Sequence, residues 1–392
     1  MDKTKAHLTL ALPAPAPGCT WIHACSVGEV GSIIPLVNRL LEHGERVHLT
    51  VVTRTGFEHA HRLLGERISP PVTVSYLPWD LPGLMLRFIR HLQPRLLLLT
   101  ETEFWPGMLK ACHKLGIPII GLNTRISDRS FPRYLASRSL WRRWLAPVTE
   151  FLAQSELDAE RLTAIGVPAD RIRVAGNLKY AIQPPAVDAD QLRRRLDPSG
   201  SRPILLIAST HEDEERRLLT MLPAWRTACP DLLPVFVPRH PERFAAVADL
   251  LANAGLRPAR WSAGSAPHAD IVLIDAMGVL AGLYTIADLV IIGGSLANIG
   301  GHNPLEAAVC GRGVVTGPHI QNFRAVMTDL QRCGGAIAAR DDSELQAAVL
   351  RLLQHPDELA HLHAEAARFM QQQEDVLERT WQHIRSRLEA DA

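Results

Sequence analysis

The chain has 392 residues, more than one hydrophobic core ordinarily serves and enough for two domains. Its 42 basic and 41 acidic residues leave a formal net charge of +1, which argues against a general nucleic-acid binder. Hydrophobic residues make up 47% of the chain, yet no run reaches the roughly 18 apolar residues of a spanning helix. The six cysteines form no Cys-x-x-Cys pair and read as reduced core residues, with neither a zinc site nor a disulfide frame.

Residues 1–19, Ala/Pro-rich and without a signal-peptide pattern, read as a flexible lead-in. From Thr20 apolar runs alternate with amphipathic stretches. Strands are expected at 20–24, 47–52, 72–76, 95–100, 117–122 and 171–175, with helices at 33–41, 82–91 and 104–115. Asp80 before Leu81-Pro82 reads as a helix N-cap, and Gly44 and Gly116 as helix stops. This alternation predicts a parallel sheet in a domain spanning 20–182. A polar segment, 183–202, contains Gln183-Pro184-Pro185 and Arg193-Arg194-Arg195 and reads as a linker. A second α/β series begins at 203, with strands at 204–208, 233–237, 271–274, 289–292 and 314–316. Its domain is expected to run to 392 and to include the C-terminal helices.

The polar turns after these strands hold the candidate chemistry, because open α/β sheets bind ligands at the carboxyl ends of their strands. Glu29 follows the first strand; it is either a cap of the next helix or a functional acid. Gly28 is expected to allow a sharp turn there and Gly31 a close helix approach. Glu101 ends the run 95–100, and Glu103 either acts with it or caps the helix near Phe104. Lys179 at a strand exit is either solvated or a counter-charge. Gly293-Gly294 and Gly300-Gly301 allow close backbone approach, and the helix near Asn303-Pro304 presents free N–H groups to an anion. Ser209 and Thr210 read equally as helix caps or as donor-facing hydroxyls. His211 before Glu212–Glu215 lacks His-Glu-x-x-His spacing, and Asp188-Ala189-Asp190 lies in the linker, so no metal ligand set is expected.

Ten segments in order resemble the Kdo transferases, which move 3-deoxy-D-manno-octulosonic acid from CMP-Kdo to a lipid A precursor. They begin with Trp21-Ile22-His23-Ala24-Cys25-Ser26-Val27-Gly28-Glu29, Glu101-Thr102-Glu103-Phe104-Trp105-Pro106, Asn123-Thr124-Arg125-Ile126-Ser127 and Gly176-Asn177-Leu178-Lys179. They continue through 209–215, 238–244, 275–278, 293–296, 300–306 and 317–323. The resemblance implies a GT-B fold, two Rossmann-like domains facing a central cleft, and an inverting, metal-independent transferase without a cofactor. It implies Glu29 as the proton acceptor, with Glu101 and Lys179 stabilising the transition state. It further implies CMP contacts from Pro238, Arg239, Met277, Gly278, Val279, Asn303, Pro304, Leu305 and Glu306. Val279 stands where the family has Glu, so a side-chain contact there is not expected to carry over.

The acceptor implied is lipid IVA, at the cytoplasmic face of the bacterial inner membrane. The family's apolar anchor has no counterpart before Trp21, so peripheral attachment is expected. Arg133–Leu145, rich in arginine and aromatics, reads either as one amphipathic helix covering the sheet or as a surface for anionic head groups. Two other functions fit parts of this pattern: a GT-B sugar-nucleotide epimerase and an inactive lipid A-binding paralogue. The epimerase's His/Glu signature is absent, and the intact Glu29, Glu101, Lys179, Arg239 and Glu306 oppose the paralogue.

Overall fold

The computed structural model describes residues 3–68, 71–264 and 269–390. They form two compact α/β units, one from Met1–Ala181 together with Gln373–Ala392, the other from Ile182–Gln372.

The strands of the first unit are β1 (Thr20–His23), β2 (Val47–Val51), β3 (Val72–Tyr76), β4 (Leu96–Thr100), β5 (Ile119–Thr124), β6 (Glu150–Ala153) and β7 (Ile172–Val174). They pair in parallel in the order β3-β2-β1-β4-β5-β6-β7. Helices α1 (Lys3–His7), α2 (Val27–Glu42), α3 (Arg54–Leu64), α4 (Pro82–Leu92), α5 (Pro106–Lys114), α6 (Phe131–Ala136), α7 (Arg138–Leu145) and α8 (Glu156–Ala164) connect and cover them. Successive strand side chains point to opposite faces, so Leu96 and Leu98 join one core cluster while Leu97 and Leu99 join another. Covering both faces explains why Leu96–Leu99 of β4 are all apolar.

The second unit holds α9 (Ala189–Leu196), β8 (Ile204–Thr210), α10 (Glu212–Ala228), β9 (Leu233–Pro238), α11 (Phe244–Asn253), β10 (Pro258–Arg260) and β11 (Ile271–Leu273). It continues with α12 (Leu280–Leu283), β12 (Leu289–Ile292), α13 (Leu305–Ala308), β13 (Val314–Thr316), α14 (Arg324–Cys333), β14 (Ala336–Ala338), α15 (Asp342–Gln354) and α16 (Pro356–Gln372). Its parallel sheet runs β10-β11-β9-β8-β12-β13-β14. Two α/β units with parallel sheets are what the alternation predicts, and their Rossmann-like form is what the resemblance implies.

Several boundaries differ from the sequence reading. The last helix, α17 (Val376–Ala390), belongs to the first unit and not to the second. Trp381, Ile384 and Leu388 are buried in the same cluster as Val37 and Leu40 of α2. Each such side chain stabilises the docking by about 1.5–3 kcal/mol. The lead-in contains α1, whose Ala6 is buried in that cluster. The linker contains α9, and Asp188 of the Asp-x-Asp string caps it through Gln191 N. Asp80 does not cap α4, whose N-cap is Leu81. Its carboxylate instead accepts from Gly107 N and Met108 N, both at 2.7 Å, and so caps α5 from another loop. A Cβ on Gly107 would lie 2.6 Å from Asp80 Oδ1, which is why glycine stands there.

Candidate active site

In the first sheet the order reverses between β1 and β4, the adjacent strands from which the connections leave toward opposite edges. Glu29 follows β1; Glu101 and Glu103 follow β4. Strand adjacency therefore brings the turn with Glu29 beside the turn with Glu101 and Glu103, from which helices separate it in sequence.

Glu29 sits in the first turn of α2, only 7% exposed. Ser26, the N-cap, accepts from Glu29 N and donates to Glu29 Oε1 at 2.8 Å. Oε2 accepts from Cys25 N at 2.9 Å and from Thr100 Oγ1 at 2.7 Å. Glu29 is thus not the N-cap acid: Ser26 caps α2, and Glu29, three residues on in a Ser-x-x-Glu pattern, reaches back past it to Cys25 N. The same bonds hold the carboxylate rigidly at the sheet edge. Gly28 does not make the turn, because it lies within α2. Gly31 permits no unusually close approach either, since a Cβ there would lie 3.8 Å from the His59 ring, an ordinary contact.

Glu101 has a left-handed backbone, φ 47, a conformation costing about 1–2 kcal/mol for an L-residue. It turns the side chain to Lys179, whose Nζ donates to Glu101 Oε1 at 2.9 Å. Asn123, also left-handed at φ 51 where the β5–β6 register shifts, accepts from Leu178 N through Oδ1 at 2.9 Å. It anchors the turn that carries Lys179. Lys179 is accordingly paired and not simply solvated.

Glu103 does not cap α5, whose N-terminal N–H groups are taken by Asp80. Its Oε2 accepts from Trp105 Nε1 at 2.8 Å and faces His23 Nε2 at 3.7 Å. Burial alone would raise its pKa; the facing His23, the Trp105 indole and the Cys25 thiol outweigh that and lower it. The thiol of Cys25 is pushed up to about 12 by burial and by the charges of Glu103 and Glu29. Ligand atoms of Cys25, Glu29 and Glu103 all lie within 4.8 Å of one another. The sequence spacing points to no ligand set here, yet the fold brings these three potential ligand atoms together. The strands pair only in the tertiary fold.

In the second unit the order reverses between β8 and β12. Ser209, next to last in β8, has φ 56, and Gly293 packs so closely that a Cβ would meet Ser209 O at 2.6 Å. Neither Ser209 nor Thr210 caps α10; His211 is the N-cap. Buried Glu214 accepts from His211 N, Gly294 N, Leu296 N and Ala297 N, bracing the glycine-rich turn after β12. Glu215, also buried, accepts from Thr210 Oγ1 and Arg243. Within the run after His211, Glu214 and Glu215 are therefore structural acceptors.

Pro238 ends β9, and Arg239 N donates to Thr210 O at 3.0 Å. Around Arg239 stand His211 and His302, their Nε2 atoms 2.9 Å apart and their rings stacked. Burial, then the charges of His211, Arg239 and His240, hold His302 down to about 4. Burial raises the pKa of Glu306, with Asn303 and the Arg239 charge opposing it. Asn303 Oδ1 accepts from Leu305 N at 3.1 Å, and α13 has only four residues. The expected row of free N–H donors is reduced accordingly. Pro304 is the N-cap of α13 and Leu305 its first, buried residue. Met277 and Gly278 lie exposed on the loop before α12, with Gly278 at φ 81 and Val279 as its N-cap.

Arg133–Leu145 is not one helix: Ser137 separates α6 from α7. Tyr134 stacks on Trp141, Trp144 meets Trp141 edge to face, and Trp141 packs toward Phe104, so the aromatics cover the core. Arg133, Arg138, Arg142, Arg143, Leu135 and Leu140 remain exposed. Among the described residues no helix is long and apolar enough to cross a membrane.

Residues 3–182 match the family model described as 3-deoxy-D-manno-octulosonic-acid transferase (kdotransferase). The 3-deoxy-D-manno-octulosonic acid transferase of Bordetella pertussis is 38% identical over 353 residues, 88% of this chain and 81% of that protein. The transferase of the same name from Haemophilus influenzae is 34% identical, covering 86% and 80%. Among solved structures, UDP-GlcNAc 2-epimerase from Neisseria meningitidis aligns with 94% of this chain and 99% of that one, at TM-score 0.51 and 12% identity. That likeness shows the shared two-domain fold alone. The identity to the two transferases, held across both units and over most of their length, makes this chain a member of the 3-deoxy-D-manno-octulosonic acid transferase family.

Proposed function

We propose that this Kdo transferase of lipopolysaccharide biosynthesis takes Kdo from CMP-Kdo and adds it to lipid IVA with inversion. The observation that carries this reading is the constellation at the β1 and β4 exits. A rigid carboxylate, Glu29, stands with an ion pair, Glu101–Lys179, on the same sheet edge. Glu29 accepts the proton of the acceptor hydroxyl as its oxygen attacks the anomeric carbon of Kdo. The bond from that carbon to the CMP phosphate oxygen breaks, and CMP leaves with the electron pair. Lys179, oriented by Glu101, stabilises the charge developing on the phosphate.

In the second unit Arg239 offers the phosphate a cation. Glu306 and Asn303 offer acceptors to ribose hydroxyls, while Pro238, Leu305 and Pro304 shape the walls and the 277–279 loop supplies backbone groups. Resident metal is not needed, because Lys179 and Arg239 carry the positive charge. The first unit binds the lipid acceptor, with the exposed arginines of α6 and α7 against anionic head groups at the cytoplasmic face of the inner membrane.

Incubation with CMP-Kdo and lipid IVA in excess EDTA, followed by mass spectrometry, tests the reading. Lipid IVA should gain Kdo mass units and CMP should be released in equal amount. Activity lost on chelation and restored by magnesium refutes metal independence. Epimerised sugar nucleotide, or no turnover by folded protein, favours the epimerase or the inactive paralogue.

A further inference from the structure

The thiol of Cys25 has no part in the proposed transfer, yet it stands beside both Glu29 and Glu103. Its backbone N–H helps to hold Glu29, while its side chain reaches Glu103. Glu29 Oε1 takes one hydrogen bond, from Ser26, and so retains acceptor capacity. Behind the cluster lies His23, completely buried. Its Nδ1 is occupied by Thr50, but Nε2 has no hydrogen-bond partner and faces Glu103 Oε2 at 3.7 Å. A buried polar atom without a partner is costly, and here it points toward a thiol–dicarboxylate cluster.

We propose that Cys25, Glu29 and Glu103 bind one thiophilic divalent cation of the Zn2+ class, which occupies the face of Glu29 that receives the acceptor proton and so inhibits transfer. One sulfur and two carboxylates are a donor set for zinc, with water in the fourth position. Magnesium and calcium prefer an all-oxygen shell of six or more ligands, which three partly buried side chains do not provide. Zinc displaces the thiol proton, making binding tighter as pH rises. His23 Nε2 stands behind Glu103, 3.7 Å from its Oε2, on the side where ligating carboxylates take a further hydrogen bond. The site is inhibitory and distinct from any requirement for metal. Its inhibitory half rests on the reading of Glu29 as the base.

The test uses the full chain, stripped with EDTA and exchanged into chelator-free buffer. Zn2+ alone is titrated in competition with a chromophoric chelator, in wild type, Cys25→Ala and Glu103→Gln, each checked for folding by circular dichroism. Both variants keep the Cys25 backbone N–H. We expect one zinc per wild-type chain at this site, X-ray absorption showing one sulfur neighbour near about 2.3 Å, and at least tenfold weaker binding in each variant. Equal affinity in wild type and Cys25→Ala, or a sulfur-free shell, overturns the site. In the transfer assay, stoichiometric zinc should lower wild-type turnover at least tenfold, reversibly with EDTA. Cys25→Ala should need at least tenfold more zinc for the same fractional loss. Sulfur-ligated zinc with turnover intact overturns the inhibition and the base role of Glu29 while leaving the cation site standing.

Discussion

The ammonium of Lys179 sits 2.9 Å from Glu101 Oε1, an ion pair between side chains 78 positions apart and each about one-quarter exposed. Glu101 reaches it from a left-handed backbone, and Lys179 is carried by a turn that Asn123 anchors. Both halves of the pair are positioned at some backbone cost, as expected where orientation matters more than stability. Lys179→Met should lower kcat on the order of 100-fold, and Glu101→Gln should lower it through the misplaced ammonium. Because they act as a unit, the double variant should be little worse than Lys179→Met alone. Additive losses in steady-state kinetics would show that the two act separately.

Glu29→Gln should reduce transfer by about 10²- to 10⁴-fold, the usual contribution of a positioned base. The fold should survive: the amide oxygen can accept from Cys25 N and Thr100, and the Ser26 hydroxyl can turn to accept from the amide NH2. Near-wild-type turnover by a well-folded variant removes Glu29 from the mechanism.

Arg239→Ala and Glu306→Ala should each weaken CMP binding by about 10- to 100-fold, one charge-assisted hydrogen bond being worth roughly 1.5–3 kcal/mol. Calorimetry with CMP measures this directly. Unchanged affinity in both moves the nucleotide site elsewhere.

One buried and one half-buried imidazole make the fold sensitive to acid. Burial holds His48, between Thr73 and Ser75, down to about 3, and His302 is held to about 4. Both values lie below the ordinary 6.5, so the unfolded chain binds more protons between them. Their contribution is complete above about pH 6.5 and is lost as pH falls toward 4. Glu306, raised by burial, works oppositely near its own titration range. The urea midpoint should therefore fall from about pH 7 to pH 5, and His48→Gln should flatten that fall. A midpoint independent of pH over this range contradicts the assignment.

Membrane attachment through α6 and α7 should be salt-sensitive, each exposed basic residue contributing about 1 kcal/mol near an anionic bilayer. The test is best made with Arg138→Ser and Arg143→Ser together, since the stem of Arg142 packs over Gly166. Binding to anionic vesicles should drop and the KM for lipid acceptor should rise, with the KM for CMP-Kdo unmoved. Unaltered vesicle binding leaves these helices as a cover for the sheet.

What the amino-acid sequence determined by itself was whatever a few neighbouring residues encode. Apolar runs separated by amphipathic stretches specify buried parallel strands and their helices, and motif strings in family order specify the family. The Ser26-x-x-Glu29 pattern and the acid at the third helical position after His211 are equally local, and could have pointed to Ser26 and Glu214 as bracing groups. Only the tertiary structure decided which strand exits meet. Thr100 reaches Glu29 because β4 pairs beside β1, and Lys179 reaches Glu101 because β5, β6 and β7 complete that side of the sheet. The same holds for Asp80 capping α5 and for α17 returning to the first unit. These contacts depend on strand order and on burial summed over distant segments, and no short window of sequence carries that sum.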